Sequence, residues 1–78
     1  MVVKKLTELT KNQKGLVCSV DGDVFLKRRL LELGFVNGTE VKILHISPLK
    51  NTFLVSLRDY TLAIKHQTLQ LVSVVAND

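Results

Sequence analysis

The sequence predicts a small, mainly β domain, in which about five antiparallel strands curl into a barrel and one short α-helix follows the first strand. The chain has 78 residues, which is the size of a single domain, residues 1–78. Several short segments alternate apolar and polar residues as half-buried strands do, and a single segment has the spacing of an amphipathic helix. An open sheet of this size would leave two hydrophobic edges exposed, which a barrel avoids.

The first strand is predicted at residues 16–20, after a turn at Lys14-Gly15. We assign no strand before that turn. Cys18 lies in the more apolar phase of the alternation, together with Leu16 and Val20. We therefore expect Cys18 to be a small buried apolar residue.

The helix is predicted in the segment that starts at Val24 and stops before Gly34. Asp21 and Asp23 precede this segment as candidate N-caps, and Gly34 stands where a left-handed C-cap belongs. The leucines that recur at i, i+4 and i+7 should face the core; they are Leu26, Leu30 and Leu33.

Four further strands follow, separated by residues that favour turns. Asn37-Gly38 predicts a tight turn before the second strand, and the segment that contains Pro48 ends that strand. Alternation places Phe53 on the core face of the third strand. The predicted strands are residues 41–46, 52–57, 61–65 and 70–75, with a turn at Arg58-Asp59-Tyr60 and a link at His66-Gln67-Thr68. Together these elements predict an SH3-like barrel.

Composition indicates a basic protein of the cytoplasm. Lys and Arg total 11 against 7 acidic residues, which gives a formal net charge of +4 and a pI near 9.5. No apolar run approaches the roughly 18 residues that a membrane helix needs. The first residues, MVVKKL, lack the features of a signal peptide, and the single Cys18 cannot form an internal disulfide.

The sequence offers no set of residues for catalysis. His45 and His66 lack the nucleophile and orienting group that covalent catalysis requires. A glycine-rich phosphate-binding loop is also missing, so the chain itself should not bind GTP. We expect a protein that is not an enzyme and has no cofactor.

Metal binding by this chain is not expected either. The side chains that would suit a transition metal ion are spread along the sequence, and the histidines and the cysteine do not occur at the close spacing of metal sites. These candidates are Cys18, Glu40, His45, Asp59 and His66.

The helix carries the best candidate for a partner-binding surface. Val24 and Leu31 fall nearly opposite the predicted core stripe, and positive charge lies beside them. Such a surface would suit a partner that is acidic and partly apolar. The predicted site residues are Val24, Lys27, Arg28, Arg29 and Leu31. Alternatively, barrel loops or a strand edge cover the two apolar residues, and the charges form a solvated helix face.

Several short motifs, in this order and spacing, resemble the FeoA family along nearly the whole chain. The segment RRLLELGFVNGTEV, residues 28–41, carries most of the resemblance. The other motifs are Leu6-x-x-Leu9, Lys14-Gly15, the loop at Pro48, Leu62-Ala63-Ile64-Lys65 and Val72-x-Val74.

This resemblance implies a small accessory protein of bacterial ferrous iron uptake that binds the FeoB transporter, through either its cytoplasmic GTP-binding domain or its membrane core. The chain would then be cytoplasmic and recruited to the inner face of the membrane, without inserting into it. The same barrel looks like the C-terminal domain of iron-dependent repressors.

The alternative functions are a repressor-like regulatory domain and a small basic barrel that binds nucleic acid. No nucleic acid partner is expected, because the chain has too few aromatic residues for an exposed stacking surface. Apolar sheet edges could also pair two copies in a weak homo-oligomer.

Overall fold

The computed structural model describes residues 1–77, which form one six-stranded antiparallel sheet and two helices. The order of the strands in the sheet is β1-β6-β2-β3-β4-β5. A 3₁₀ turn at Leu6–Glu8 follows β1. The elements are β1 Val2–Lys5, β2 Lys14–Val20, α1 Val24–Leu33, β3 Glu40–Ile46, β4 Thr52–Leu57, β5 Tyr60–Lys65, α2 His66–Leu69 and β6 Val72–Ala76.

The architecture confirms the predicted SH3-like class, with two differences in its elements. The sheet has six strands rather than about five, and the helix α1 follows the second strand rather than the first. Within residues 1–77 the strands β1 and β5 stand at opposite ends of the hydrogen-bonded order, so backbone pairing does not close the barrel. All the strands except β1 contribute buried residues to one hydrophobic core.

The strand β1 was missed because nothing local marks it. Its four residues, VVKK, pair along one side with β6, from Val2 opposite Ala76 to Lys5 opposite Ser73. These partners are about seventy residues away in the sequence, so the pairing depends on the folded sheet. Short edge strands that carry lysine are typical of protected sheet edges.

The prediction of a buried Cys18 is wrong. In β2 the buried residues are Gly15, Val17 and Val20, whereas Leu16 is exposed and Cys18 is half-buried. A β-bulge between Val17 and Ser19 shifts the pairing with β6, which brings Val20 back to the core. One extra residue in a strand reverses the inward and outward pattern beyond it, and the alternation in the sequence does not reveal where this occurs.

The later elements agree closely with the predicted ones. Phe53 is buried as predicted, and Gly38 adopts a positive φ of 89° in the predicted turn. The link between the last two strands contains the one-turn helix α2, whose Leu69 is fully buried. A four-residue helix is too short to show a helical repeat of apolar residues.

The two ends of α1 are held by the predicted residues. The Asp23 carboxylate accepts a hydrogen bond from the Leu26 N–H at 2.9 Å, which caps the first turn. At the other end Gly34 has φ 116°, and its N–H donates to the carbonyl of Leu31 at 3.1 Å. The other candidate N-cap, Asp21, instead donates its backbone N–H to Leu71.

The leucine stripe of α1 is only partly confirmed. Leu30 is fully buried, Leu33 is half-buried, and Leu26 remains 39% exposed. The expectation that all three face the core is therefore wrong for Leu26. The helix packs on the body of the protein over a narrow strip, since Leu30 is its one fully buried residue among the residues described. This leaves much of its surface exposed.

Candidate functional site

The helix α1 exposes the two apolar residues that the sequence placed opposite its core stripe. Val24 is 70% exposed and Leu31 is 43% exposed. No loop or strand within residues 1–77 buries them, so the alternative in which the barrel covers these residues is wrong. Lys27 and Arg28 are also exposed.

The residue that the sequence analysis missed is Phe25, which is 83% exposed. Projected at about 100° per residue, Arg28 falls between Val24 and Phe25 on the side of α1 that faces solvent. The same projection applied to the sequence would have found Phe25, because it lies outside the leucine stripe. We call Val24, Phe25, Lys27, Arg28 and Leu31 the outer helix surface.

Arg29 does not belong to this surface. Its side chain lines an open cleft of about 230 Å³ between α1 and β5, together with Leu26, Leu33 and Leu62. The structure thus separates Arg29 from Arg28, although the two residues are adjacent in the sequence. Neighbouring residues on a helix are rotated by about 100° and face different directions.

The outer helix surface combines apolar area with positive charge. It carries two basic residues, Lys27 and Arg28, and the exposed Glu32 lies on the same side of α1, which leaves a net positive charge. A cluster of large exposed apolar residues is uncommon on a small domain and is typical of protein interaction sites. Positive charge beside such a cluster favours a partner with a complementary acidic surface.

The histidines and the other metal-binding side chains are dispersed. Within residues 1–77 no group of three or more His, Cys, Asp or Glu side chains could hold a metal ion. The ring centre of His66 lies 5.9 Å from that of Phe53, so this histidine packs against the edge of the core. His45 is exposed on β3.

Neither helix within residues 1–77 is both long enough and apolar enough to cross a membrane.

Comparisons with a family model and with curated proteins point to the same family. The FeoA domain model matches residues 4–76. Among curated proteins, the chain is 25% identical over 63 residues to the Fe(2+) transport protein A/Fe(2+) transporter FeoB fusion protein of Porphyromonas gingivalis. That match covers 81% of this chain and 8% of the fusion protein, so the chain spans a small part of that relative.

Solved structures show the same relationship. The zinc-complexed FeoA of Stenotrophomonas maltophilia, described as an SH3 domain protein, is 32% identical with a TM-score of 0.77, and the match covers 88% of this chain and 86% of that one. The FeoA protein of Chlorobium tepidum is 28% identical with a TM-score of 0.85, covering 96% of this chain and 71% of that one.

A manganese-dependent transcriptional repressor also superposes well, with a TM-score of 0.86 over 96% of this chain and 42% of the repressor. Its identity of 16% shows a shared fold only. The family match, by contrast, covers nearly the whole sequence and agrees with the resemblance carried by the individual motifs. The chain is a member of the FeoA family, which is associated with ferrous iron transport.

Proposed function

We propose that this chain is a non-enzymatic accessory protein of ferrous iron uptake that binds the FeoB transporter through its outer helix surface. Membership of the FeoA family supports the role in ferrous iron uptake. The Porphyromonas gingivalis relative, in which transport protein A and FeoB form one chain, supports the partner. Joining two proteins covalently raises their effective concentration, which benefits a pair that works in contact.

The observation that carries the proposed binding site is the exposure of Phe25, Val24 and Leu31 on one side of α1. Burying exposed apolar area of this kind stabilises a complex by about 25 cal/mol per Å² before the costs of association are subtracted. Aromatic and arginine residues commonly dominate such interfaces, and Phe25 and Arg28 are neighbours here.

The mechanism that we propose is a shift between conformations of the transporter. A bound protein changes such an equilibrium only if it binds one conformation more tightly than the other. The chain would act from the cytoplasm, at the inner face of the membrane, and it would contact either the GTP-binding domain or the membrane core of FeoB. Nucleotide chemistry would remain with the transporter.

A binding titration tests this proposal directly. The purified chain would be titrated against the cytoplasmic domain of FeoB and against the intact transporter in detergent, with a GTP analogue, with GDP and without nucleotide. We expect saturable binding whose affinity depends on the nucleotide state. Failure to bind in every state would overturn the proposed partnership.

Paired variants test the surface. Arg28→Glu with Leu31→Asp reverses one charge and removes one apolar side chain from the outer helix surface, and we expect it to abolish binding. The matched control is Leu49→Asp with Lys50→Glu, which makes the same two kinds of change in the exposed loop between β3 and β4. Both variants should keep the melting temperature of the original chain. Equal binding by the two variants would assign the interface to another surface.

A further inference from the structure

We propose a second binding site in this chain, which holds a phosphoryl group or a similar oxyanion against the outer face of the sheet. It rests on no feature of the outer helix surface and is independent of the proposed function. The site consists of basic and hydroxyl-bearing residues from three neighbouring strands, β2, β3 and β4, from the segment that enters β3 and from the turn after β4. These residues are Lys14, Thr39, Lys42, Ser56 and Arg58.

The register of the sheet brings the basic residues together. Lys14 on β2 pairs directly with Lys42 on β3, and Lys42 pairs with Ser56 on β4. Paired residues point to the same face, here the one opposite the buried Val41 and Val55. The three strands therefore place two ammonium groups and one hydroxyl in a single row.

This row is unfavourable for the isolated protein. Two like charges directly opposite each other on neighbouring strands lower the stability of a sheet. Within residues 1–77 no ion pair links Lys14, Lys42 or Arg58 to a carboxylate within 4 Å. A bound anion would offset this repulsion, because both ammonium groups attract it.

The space between these side chains is large enough to admit a small anion. They line an open cleft of about 370 Å³, which also contains Glu40. Thr39 is only 9% exposed, yet it lines the cleft. In the described chain the hydroxyl of Ser56 has no hydrogen-bond partner, so it is available to donate to a ligand.

Charge balance favours a phosphoryl group. Three cations and one carboxylate give the cleft a formal charge of +2, and a phosphoryl group carries about −1.5 to −2 near pH 7. Its oxygens accept hydrogen bonds from ammonium, guanidinium and hydroxyl groups together. Arg58 approaches from the β4–β5 turn, where it adopts a positive φ of 47°.

A larger basic cleft, between the loop after β3 and the start of α2, is a weaker candidate. It has a volume of about 600 Å³ and is lined by Lys50, Lys65 and His66, but the loop after β3 forms much of its wall. It contains no pair of like charges in direct register. It therefore supplies a control rather than a second proposal.

The test is a titration of the ¹⁵N-labelled full chain with sodium phosphate at constant ionic strength and pH 7.4. We expect saturable shifts of the amide signals of Lys14, Lys42 and Ser56. The variant Lys14→Gln with Lys42→Gln should bind at least about tenfold more weakly, because two charge-assisted hydrogen bonds are lost. Lys65→Gln, which removes one charge from the other basic cleft, should bind as the original chain does.

A melting experiment separates loss of the site from loss of the fold. In phosphate-free buffer the double variant should melt at the same temperature as the original chain or higher, because the repulsion between the two lysines is gone. A lower melting temperature of the double variant would show that the two lysines do not destabilise the unliganded protein, and it would overturn the proposal. So would equal phosphate binding by the double variant and the original chain, or a response without saturation.

Two further titrations identify the source of the phosphoryl group. One uses a soluble phosphomonoester, and the other uses phosphatidylcholine vesicles with and without phosphatidic acid. Binding to the ester alone identifies a soluble ligand, whereas binding to phosphatidic acid vesicles that the double variant loses identifies a lipid headgroup. Either result supports the site. Binding to neither overturns it.

Discussion

A β-carbon placed on Gly15 would lie 2.7 Å from Cγ2 of Val74, which is closer than two carbon atoms approach in a folded protein. The same β-carbon would lie 3.4 Å from Cδ1 of Leu9. Glycine at this position lets β2 pack tightly against β6 and the segment that follows β1. The requirement is one of space, since Gly15 has no positive φ.

Gly15→Ala is therefore expected to lower the free energy of unfolding by about 1–3 kcal/mol, the usual cost of forcing extra atoms into a packed core. Urea denaturation monitored by circular dichroism measures this change. Ser19→Ala, at an exposed position in the same strand, should stay within about 0.5 kcal/mol of the original chain. Equal stability of the two variants would mean that β6 can move away from β2 at little cost.

The N-cap of α1 distinguishes two aspartates that look equivalent in the sequence. Asp23→Ala removes the carboxylate that accepts the Leu26 N–H and should cost about 1 kcal/mol of stability. Asp21→Ala should cost less than about 0.5 kcal/mol, because its backbone and not its side chain makes the contact with Leu71. Thermal and urea unfolding of both variants make the comparison. A larger loss for Asp21→Ala would contradict the assigned cap.

The C-terminus of α1 depends on the backbone of Gly34. Its φ of 116° is a conformation that residues with a β-carbon rarely adopt, so Gly34→Ala should lower the free energy of unfolding by more than about 1 kcal/mol. Gly34→Asn should cost less, since asparagine tolerates positive φ better. Urea unfolding curves of the two variants show which substitution lowers the free energy of unfolding more. The opposite order would show that space, rather than backbone conformation, limits this position.

The inner and outer sides of α1 should respond differently to truncation. Leu30→Ala leaves a cavity in the core and should cost about 2–5 kcal/mol. Phe25→Ala removes a larger side chain from an exposed position and should change stability by no more than about 0.5 kcal/mol. Urea denaturation measures both stability changes, which follow from the shift of each midpoint if the two variants share one m-value. A large loss for Phe25→Ala would place this ring in a structural role and weaken its assignment to the outer helix surface.

Local chemistry was sufficient to predict the helix and most of the strands. Asp23 caps α1, Gly34 ends it, and Gly38 forms the turn before β3, because caps and turns depend on a few adjacent residues. The predicted strands 41–46 and 52–57 agree with β3 and β4 to within one residue, since simple alternation marks them. The family resemblance rests on the same local motifs.

Other features depend on residues far apart in the chain, and only the tertiary structure decided them. β1 exists because β6 pairs with it, and the bulge beside Cys18 follows from the register between β2 and β6. The exposure of Phe25 depends on how narrowly α1 packs on the sheet.

The sequence by itself determined the family, the helix ends and the alternation of the strands. The pairing of Lys14 with Lys42, twenty-eight positions away, came from the register of the sheet. Register is set by the burial of one sheet face as a whole, so the residues that it brings together on the other face cannot be predicted from any short segment.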